Sequence, residues 1–454
     1  MDEEPRIRWT SPMTNSRTVR LLGVGFLALL LLLPVVRIGE LVSERQGRAA
    51  GAVEEVASKW GNRQALVGPA LVVPYTSRVT TTSATGEPVV SERPGNAVFL
   101  PRRMEATGTI DSQVRRRGIF SVPVYSLDLK VEGEFGEPDL SSLGVDPADA
   151  HWERAHLVVA ISDVRAIQQQ TSVQWNGQQT AFLPGTGSFP EFESGIQAAV
   201  GAGPASGGYR FSFPLTLNGS EMLSVAPFAE TSIVNLKSDA ASPSFQGNWL
   251  PTERTVNSSG FEASWTIPFL GRNFPQAWVE GSSMRPAIET SLFGVELVEP
   301  VDTYSMAERS LKYAGLFLLL TFALVWLIEV LGRVRVHPIQ YLLLGAALCL
   351  FYLLELSLSE HLGFAPAYAV ASLAVVGMVA GYSWVIFHER KRAGTVAGAV
   401  AGLYGYLFVL LRNEDYALLM GSVGLFAILG TIMCVTRRID WSAPGSIGNV
   451  TAGV

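Results

Sequence analysis

The sequence predicts a polytopic α-helical membrane protein: six transmembrane helices and a large, β-rich, antiparallel-sandwich-like domain. Three observations predict it. Of 454 residues, 48% are hydrophobic and only 16% are charged. The apolar residues collect in blocks near the N-terminus and after Leu311. Between the blocks lies a long stretch of soluble composition, built from short runs rich in Val, Phe, Tyr and Thr.

Residues 1–18 are polar, contain Pro5 and Pro12, and read as a leader on the cytoplasmic side. Residues 19–36 form the first span. Arg37 and Glu40 follow it directly and no small-x-small site closes its apolar core, so it reads as an uncleaved signal-anchor. Five further segments, 312–331, 339–358, 366–387, 393–411 and 416–435, approach the roughly 20 apolar residues that a helix needs to cross a bilayer. Cytoplasmic flanks carry excess Lys and Arg. Arg17 and Arg20, Arg333 and Arg335, the run HERKR at 388–392, and Arg437 and Arg438 fall on one side only if both termini are cytoplasmic.

Residues 37–311 are then external, in the periplasm of a bacterial cell. They hold 21 Lys+Arg and 30 Asp+Glu, a net −9, while the remainder holds 13 and 10, a net +3. An acidic exterior argues against a nucleic-acid partner. Both cysteines, Cys349 and Cys434, lie inside spans, so the external domain is expected to stand on its core without a disulfide. Its first part, 37–60, places Ile38, Leu41, Val42, Ala49, Val53, Val56 and Trp60 at helical spacing. That pattern predicts a helical stalk packing on the domain it leads to. From 66 to 300, runs such as ALVVPY, IFSVPVYSLDLKVEG, SVQW and YRFSFPLTL read as strands. Asn176-Gly177, Asn218-Gly219, Pro184-Gly185 and Gly207-Gly208 read as the turns between strands. The segment 185–208 reads as a long loop, and 436–454 as a cytoplasmic tail.

Within the spans, Gly377 and Gly381, and Gly394, Gly398 and Gly402, recur four apart. Small residues on one face let helices approach closely, which predicts tight packing inside the bundle.

Candidate chemistry is sparse. Metal sites need clustered His, Cys and carboxylate ligands. The external domain has only His151 and His156, without HxxxH spacing, so no metal and no cofactor are expected. No GxSxG elbow or GxxxxGK[ST] loop is present. Arg115, Arg116 and Arg117 form the densest external basic run, suited to an anionic lipid head group or a glycan phosphate. Intramembrane carboxylates are costly unless partnered or functional. Glu329 lies four residues before Arg333, one turn away on the same helix face. Glu355 has no basic residue one turn away; Tyr352 and Ser359 share its face. It sits about 9 Å beyond the midpoint of its span, where it can reach the interface or inter-helical water. Glu360 and His361 read as surface residues at the exit.

Several blocks resemble the CreD family of bacterial inner-membrane proteins. They are SERQGRAAGAVEEVASKWGNRQALVGPALVVPY, RRRGIFSVPVY, PSFQGNWLPTERTVNSSGFEASW, YSMAERSLKYAGLFLLLTF and RVHPIQYLLLGAALCLFYLLELSL running into SEHLGFAPAYAVAS. The resemblance implies a large periplasmic domain on an inner-membrane anchor, with a role in envelope integrity or the envelope-stress response. It implies no catalytic residues. The expected function is therefore non-enzymatic, with the bilayer, envelope proteins, lipid head groups or glycans as partners. One alternative is a transporter or flippase of a lipid-linked or small envelope substrate, motivated by Glu355 and the glycine-bearing spans. No inverted repeat supports it. The other is an envelope hydrolase or transferase, for which no catalytic cluster is legible.

Overall fold

A computed structural model describes residues 17–82, 88–187, 189, 191–201, 207–297, 303–332, 334–413 and 416–437. The leader before Arg17, Arg333, Arg438 and the tail beyond it lie outside the described residues. The chain divides into two units, 1–48 with 301–454, and 49–300. Its helices are α1 (Arg17–Leu30), α2 (Leu32–Trp60), α3 (Arg285–Thr290), α4 (Thr303–Lys312), α5 (Ala314–Gly332), α6 (Pro338–Leu362), α7 (Phe364–Phe387), α8 (Arg390–Arg412) and α9 (Ala417–Thr436).

Among the described residues, six helical segments are long and apolar enough to cross a membrane: α1 running on into α2, and α5 to α9. Pro34 has no N–H to give the carbonyl of Leu30, and the helix breaks nearby, at Leu31. The Cys349 thiol donates to the Leu31 carbonyl at 3.6 Å. Pro338 opens α6 behind a capping box, in which the His337 ring accepts from the Ile339 N–H and Gln340 accepts from the His337 N–H. A shared core runs through this unit, from Leu31 and Val35 to Phe322, Phe351, Val375, Val400 and Leu407. None of the residues of α9 is buried.

The glycine stripes depart from expectation. Gly377, Gly381, Gly394, Gly398 and Gly402 are exposed, and a methyl group at any of them would meet nothing within 4 Å. In α7 and α8 the buried stripe is instead Ala371, Val375 and Val379, and Val396, Val400 and Tyr404. These side chains offer more dispersion contact, and the stripe they occupy leaves the glycines on the other face. Close approach happens at Gly345, where a Cβ would overlap Leu31 and Phe322, and at Gly39, where it would sit 3.1 Å from Leu311.

The unit 49–300 is a two-sheet sandwich. One sheet has nine strands: β1 (Gln64–Thr82), β2 (Pro88–Phe99), β5 (His156–Ile161), β8 (Leu183–Pro184), β9 (Gly195–Ala199), β11 (Met222–Val225), β13 (Pro243–Gly247), β16 (Ala277–Val279) and β17 (Phe293–Leu297). The other has eight: β3 (Arg103–Arg117), β4 (Phe120–Phe135), β6 (Ser172–Trp175), β7 (Gln178–Ala181), β10 (Tyr209–Ser220), β12 (Thr231–Ser238), β14 (Glu253–Asn257) and β15 (Gly260–Pro268). Pairing is antiparallel except β1 with β11 and β3 with β12, which run parallel. Alternation builds the core. In β10, Tyr209, Phe211, Phe213, Leu215 and Leu217 point inward, while Arg210, Ser212, Pro214 and Thr216 do not. They meet Leu71 and Val73 of β1 and Leu157 and Val159 of β5.

The nine-stranded sheet is buried on its other face as well. Val72, Val98, Val158 and Ala160 pack beneath Phe189, Phe228 and Phe274 from loops, Trp278 of β16 and Ile288 of α3. Such a covering layer leaves no period in the sequence. Asn176-Gly177 is the two-residue hairpin turn expected, with φ of 47° and 85°. Asn218-Gly219 is not a turn; it lies inside β10, opposite Ser126 and Tyr125. The Tyr125 ring occupies the space a Cβ at Gly219 would need, and Asn218 accepts from Ser126 at 2.9 Å.

Asp163 anchors the chain where α2 hands over to β1. Its carboxylate accepts from Asn62 Nδ2, Arg165 Nε and an Arg165 terminal nitrogen, each at 2.9 Å. Arg165 and the Asn62 N–H hold this carboxyl below its usual pKa range, against the opposing effect of burial. A carboxyl whose folded pKa is depressed stabilises above its unfolded value, about 4, and loses that contribution as pH falls through the folded value. Asp163→Ala is expected to cost about 1–3 kcal/mol at neutral pH and to flatten the acid limb of the stability profile, measured by tryptophan-fluorescence unfolding. In the spans, Gly345→Leu is expected to lower the unfolding temperature of the purified protein by several degrees, while Gly398→Leu leaves it within about a degree.

Candidate functional site

Glu355 is 1% exposed on α6. Tyr352 and Ser359 lie one turn away on its face and are buried with it, as is the adjacent Leu356. The carboxylate does not reach the interface, because α4 lies over it: Ser310 Oγ donates to Oε2 at 2.8 Å. Among the described residues Oε1 has no partner, nor do the buried hydroxyls of Tyr352 and Tyr404. Tyr352, Tyr368 and Tyr404 all lie within electrostatic reach of the carboxylate. Phe351 joins the rings, 4.3 Å from Tyr404 and 5.3 Å from Tyr368 between centroids. Tyr368 is satisfied, donating to the Tyr404 carbonyl at 2.7 Å. Ser359 donates to its own helix, to Leu356 O at 2.8 Å.

Two other acids of the spans have different surroundings from those expected. The Glu360 side chain is only 9% exposed, with Arg45 of α2 at 3.8 Å. Tyr304 of α4 donates to it at 3.1 Å. It thus links three helices, whereas His361 beside it is exposed. Glu329 meets Arg20 of α1 at 2.5 Å and accepts from the Tyr341 hydroxyl at 2.9 Å. Its described partners come from other helices, and Arg333 lies outside the described residues. The carbonyl at the end of α5, on Gly332, accepts from Arg392 at 3.4 Å.

The arginine run divides by strand alternation. Arg115 and Arg117 both engage α2: the Arg115 guanidinium lies 4.1 Å from the Trp60 ring centroid, and Arg117 Nε pairs with Glu55 at 3.0 Å. Trp60 Nε1 also donates to the Tyr125 carbonyl at 3.2 Å. Arg116 is exposed. The three therefore do not converge on one anion, and two of them fasten the end of α2 to the β3–β4 hairpin.

His151 Nε2 shares a hydrogen bond with Thr76 Oγ1 at 2.8 Å. His156 is half-buried in β5, where burial pushes its pKa down. Among the described residues, no three His, Cys, Asp or Glu side chains form a group able to hold a metal.

Sequence reasoning passed over Ser310, Tyr368 and Tyr404, because each lies on another helix from Glu355. It also passed over two buried charges in the outer layer of the sandwich. Arg272 is held between Phe269 and Phe274, with centroids at 5.0 and 4.7 Å. Burial brings its guanidinium down to about 10, opposed by Glu230. Glu191 accepts from Trp278 Nε1 at 2.8 Å, and burial pushes its carboxyl up against that bond. Both residues follow a Pro/Gly-rich loop pattern that gives no burial signal.

Six membrane-crossing helices, with a two-sheet β unit between the first and the second, define a multi-pass membrane protein with an inserted sandwich. The chain belongs to the CreD family: residues 16–442 match its model, described as inner membrane protein CreD. The inner membrane protein CreD of Escherichia coli strain K12 is 31% identical over 420 residues, covering 91% of each chain. Among solved structures, an M1 zinc metallopeptidase of Deinococcus radiodurans aligns with 40% of this chain and 42% of its own at 11% identity and a TM-score of 0.19. Native yeast LTA4 hydrolase aligns with 77% and 68% at 9% identity and the same score, 0.19. Scores this low define no shared fold.

Arg20 and Glu329 join α1 to α5 across 309 positions of sequence. A double-mutant cycle of Arg20→Ala and Glu329→Gln is expected to show about 1–3 kcal/mol of coupling in unfolding of the purified protein, with Arg20→Ala the costlier single change.

Proposed function

We propose that this protein is a non-enzymatic inner-membrane protein that supports envelope integrity, acting through a β-sandwich held on the periplasmic side. One observation carries the reading. A single helix, α2, begins among the apolar residues of the first span and ends clamped to the β3–β4 hairpin by Trp60, Glu55, Arg115 and Arg117. These arginines are the external residues best suited to grip a ligand, and two of them serve the clamp instead. His151, similarly, is engaged with Thr76. Such a unit is suited to bearing or reporting load on the envelope. The family match supports the inner-membrane placement, and the basic flanks at Arg20, Arg335, HERKR and Arg437 support cytoplasmic termini.

Deleting the gene is expected to sensitise cells to detergents and to wall-acting antibiotics. Wild type should restore resistance, and a Trp60→Ala, Arg115→Ala, Arg117→Ala chain at equal abundance should restore it only in part. Deletion without effect under every such stress removes the proposal. For the orientation, cysteines are placed at Arg116 and Arg437 in a chain lacking the native two. A membrane-impermeant thiol reagent, in cells with a permeabilised outer membrane, should label the first, and the second only after lysis.

A further inference from the structure

Among the described residues of the spans, Glu329 faces Arg20 and Glu360 faces Arg45, but no cationic side chain pairs with Glu355. A buried carboxylate without a countercharge is strongly destabilising unless it binds a proton or a cation. Its own Oε1 is unpartnered among the described residues, as are the hydroxyls of Tyr352, one turn back on α6, and of Tyr404, whose ring packs with that of Tyr352 against Phe351. The Ser310 hydroxyl touches the other carboxylate oxygen. The Cys349 thiol, nearly two turns earlier in α6, is committed to the Leu31 carbonyl. What remains is an all-oxygen cluster short of one positive charge.

We propose that this cluster binds one monovalent cation, a proton or a sodium ion, with Glu355 as its anionic anchor. A proton resides on the carboxyl and is shared with a neighbouring hydroxyl. Sodium, a hard ion, takes the carboxylate and the Ser310, Tyr352 and Tyr404 oxygens as ligands. Either ion draws α4 onto α6, because Ser310 belongs to α4. Polar groups lead from the cluster through Ser359 to Glu360, Tyr304 and Arg45. Toward the other end, Leu344, Leu348 and Phe322 fill the core before the Glu329–Tyr341 pair. This inference is independent of the envelope role.

The test uses the full-length protein in nanodiscs of phosphatidylcholine. Thermal unfolding is followed against sodium at fixed pH and ionic strength, and against pH without sodium, for wild type and Glu355→Gln. The infrared difference spectrum of the two proteins is recorded alongside. Wild type should be stabilised by one ion, and Glu355→Gln by neither. A sodium response assigns sodium; a protonated-carboxyl band that vanishes at high pH, without a sodium response, assigns the proton. Tyr404→Phe, which keeps the carboxyl, should shift half-saturation about tenfold or more. Should Glu355→Gln not fold, Tyr404→Phe and Ser310→Ala carry the comparison through that shift. The proposal is overturned if wild type and variants respond identically to both ions, or if the difference spectrum shows an ionised carboxylate indifferent to sodium.

Discussion

Polar groups placed in apolar surroundings must find partners there, and that requirement organises both units of this protein. In the spans there is no water to satisfy a carboxylate, so each acid is tied to another helix. Glu329 brings α1, α5 and α6 together through Arg20 and Tyr341. Glu360 does the same for α2, α4 and α6. Glu355 binds α4 to α6 through Ser310 and leaves one oxygen open. The polar ties sit at helix ends and turns, while Val, Leu and Phe fill the space between.

In the sandwich the same requirement works on charges that folding has covered. Asp163 is stabilised in its ionised form by Arg165 and by the first residues after α2. Arg272 lies between two phenylalanine rings with its terminal nitrogens on Pro227 O and Gln276. These contacts hold down the loops that cover the nine-stranded sheet. Covering the second face of the sheet buries further apolar area, so the covering loops contribute hydrophobic stabilisation as well as shape.

How much was legible depended on the range of the interaction. The helical spacing of Ile38, Val42 and Trp60 indicated α2 because one helix face repeats locally. The alternation from Tyr209 to Leu217 indicated β10 for the same reason. Asn218-Gly219 misled because the dipeptide carries the signature of a turn, while its glycine serves the ring of Tyr125, a residue on the neighbouring strand. The glycine stripes misled in a similar way. Spacing shows that they share a face but cannot show which face is buried, and the larger Val and Tyr side chains decided that. Gly345, which does permit close packing, has no glycine partner four residues away.

The sequence by itself determined the six apolar helices, the β-rich insertion, the family blocks and Glu355 as a residue out of place. Each is encoded in consecutive residues, through hydrophobic length, period or an isolated charge. Only the tertiary structure decided that Arg115 and Arg117 contact α2, that Glu329 pairs with Arg20, and that Ser310 of α4 meets Glu355 of α6. Those partners come from separate elements, brought together because burial forces each polar group to the nearest donor in space, whatever its distance along the chain.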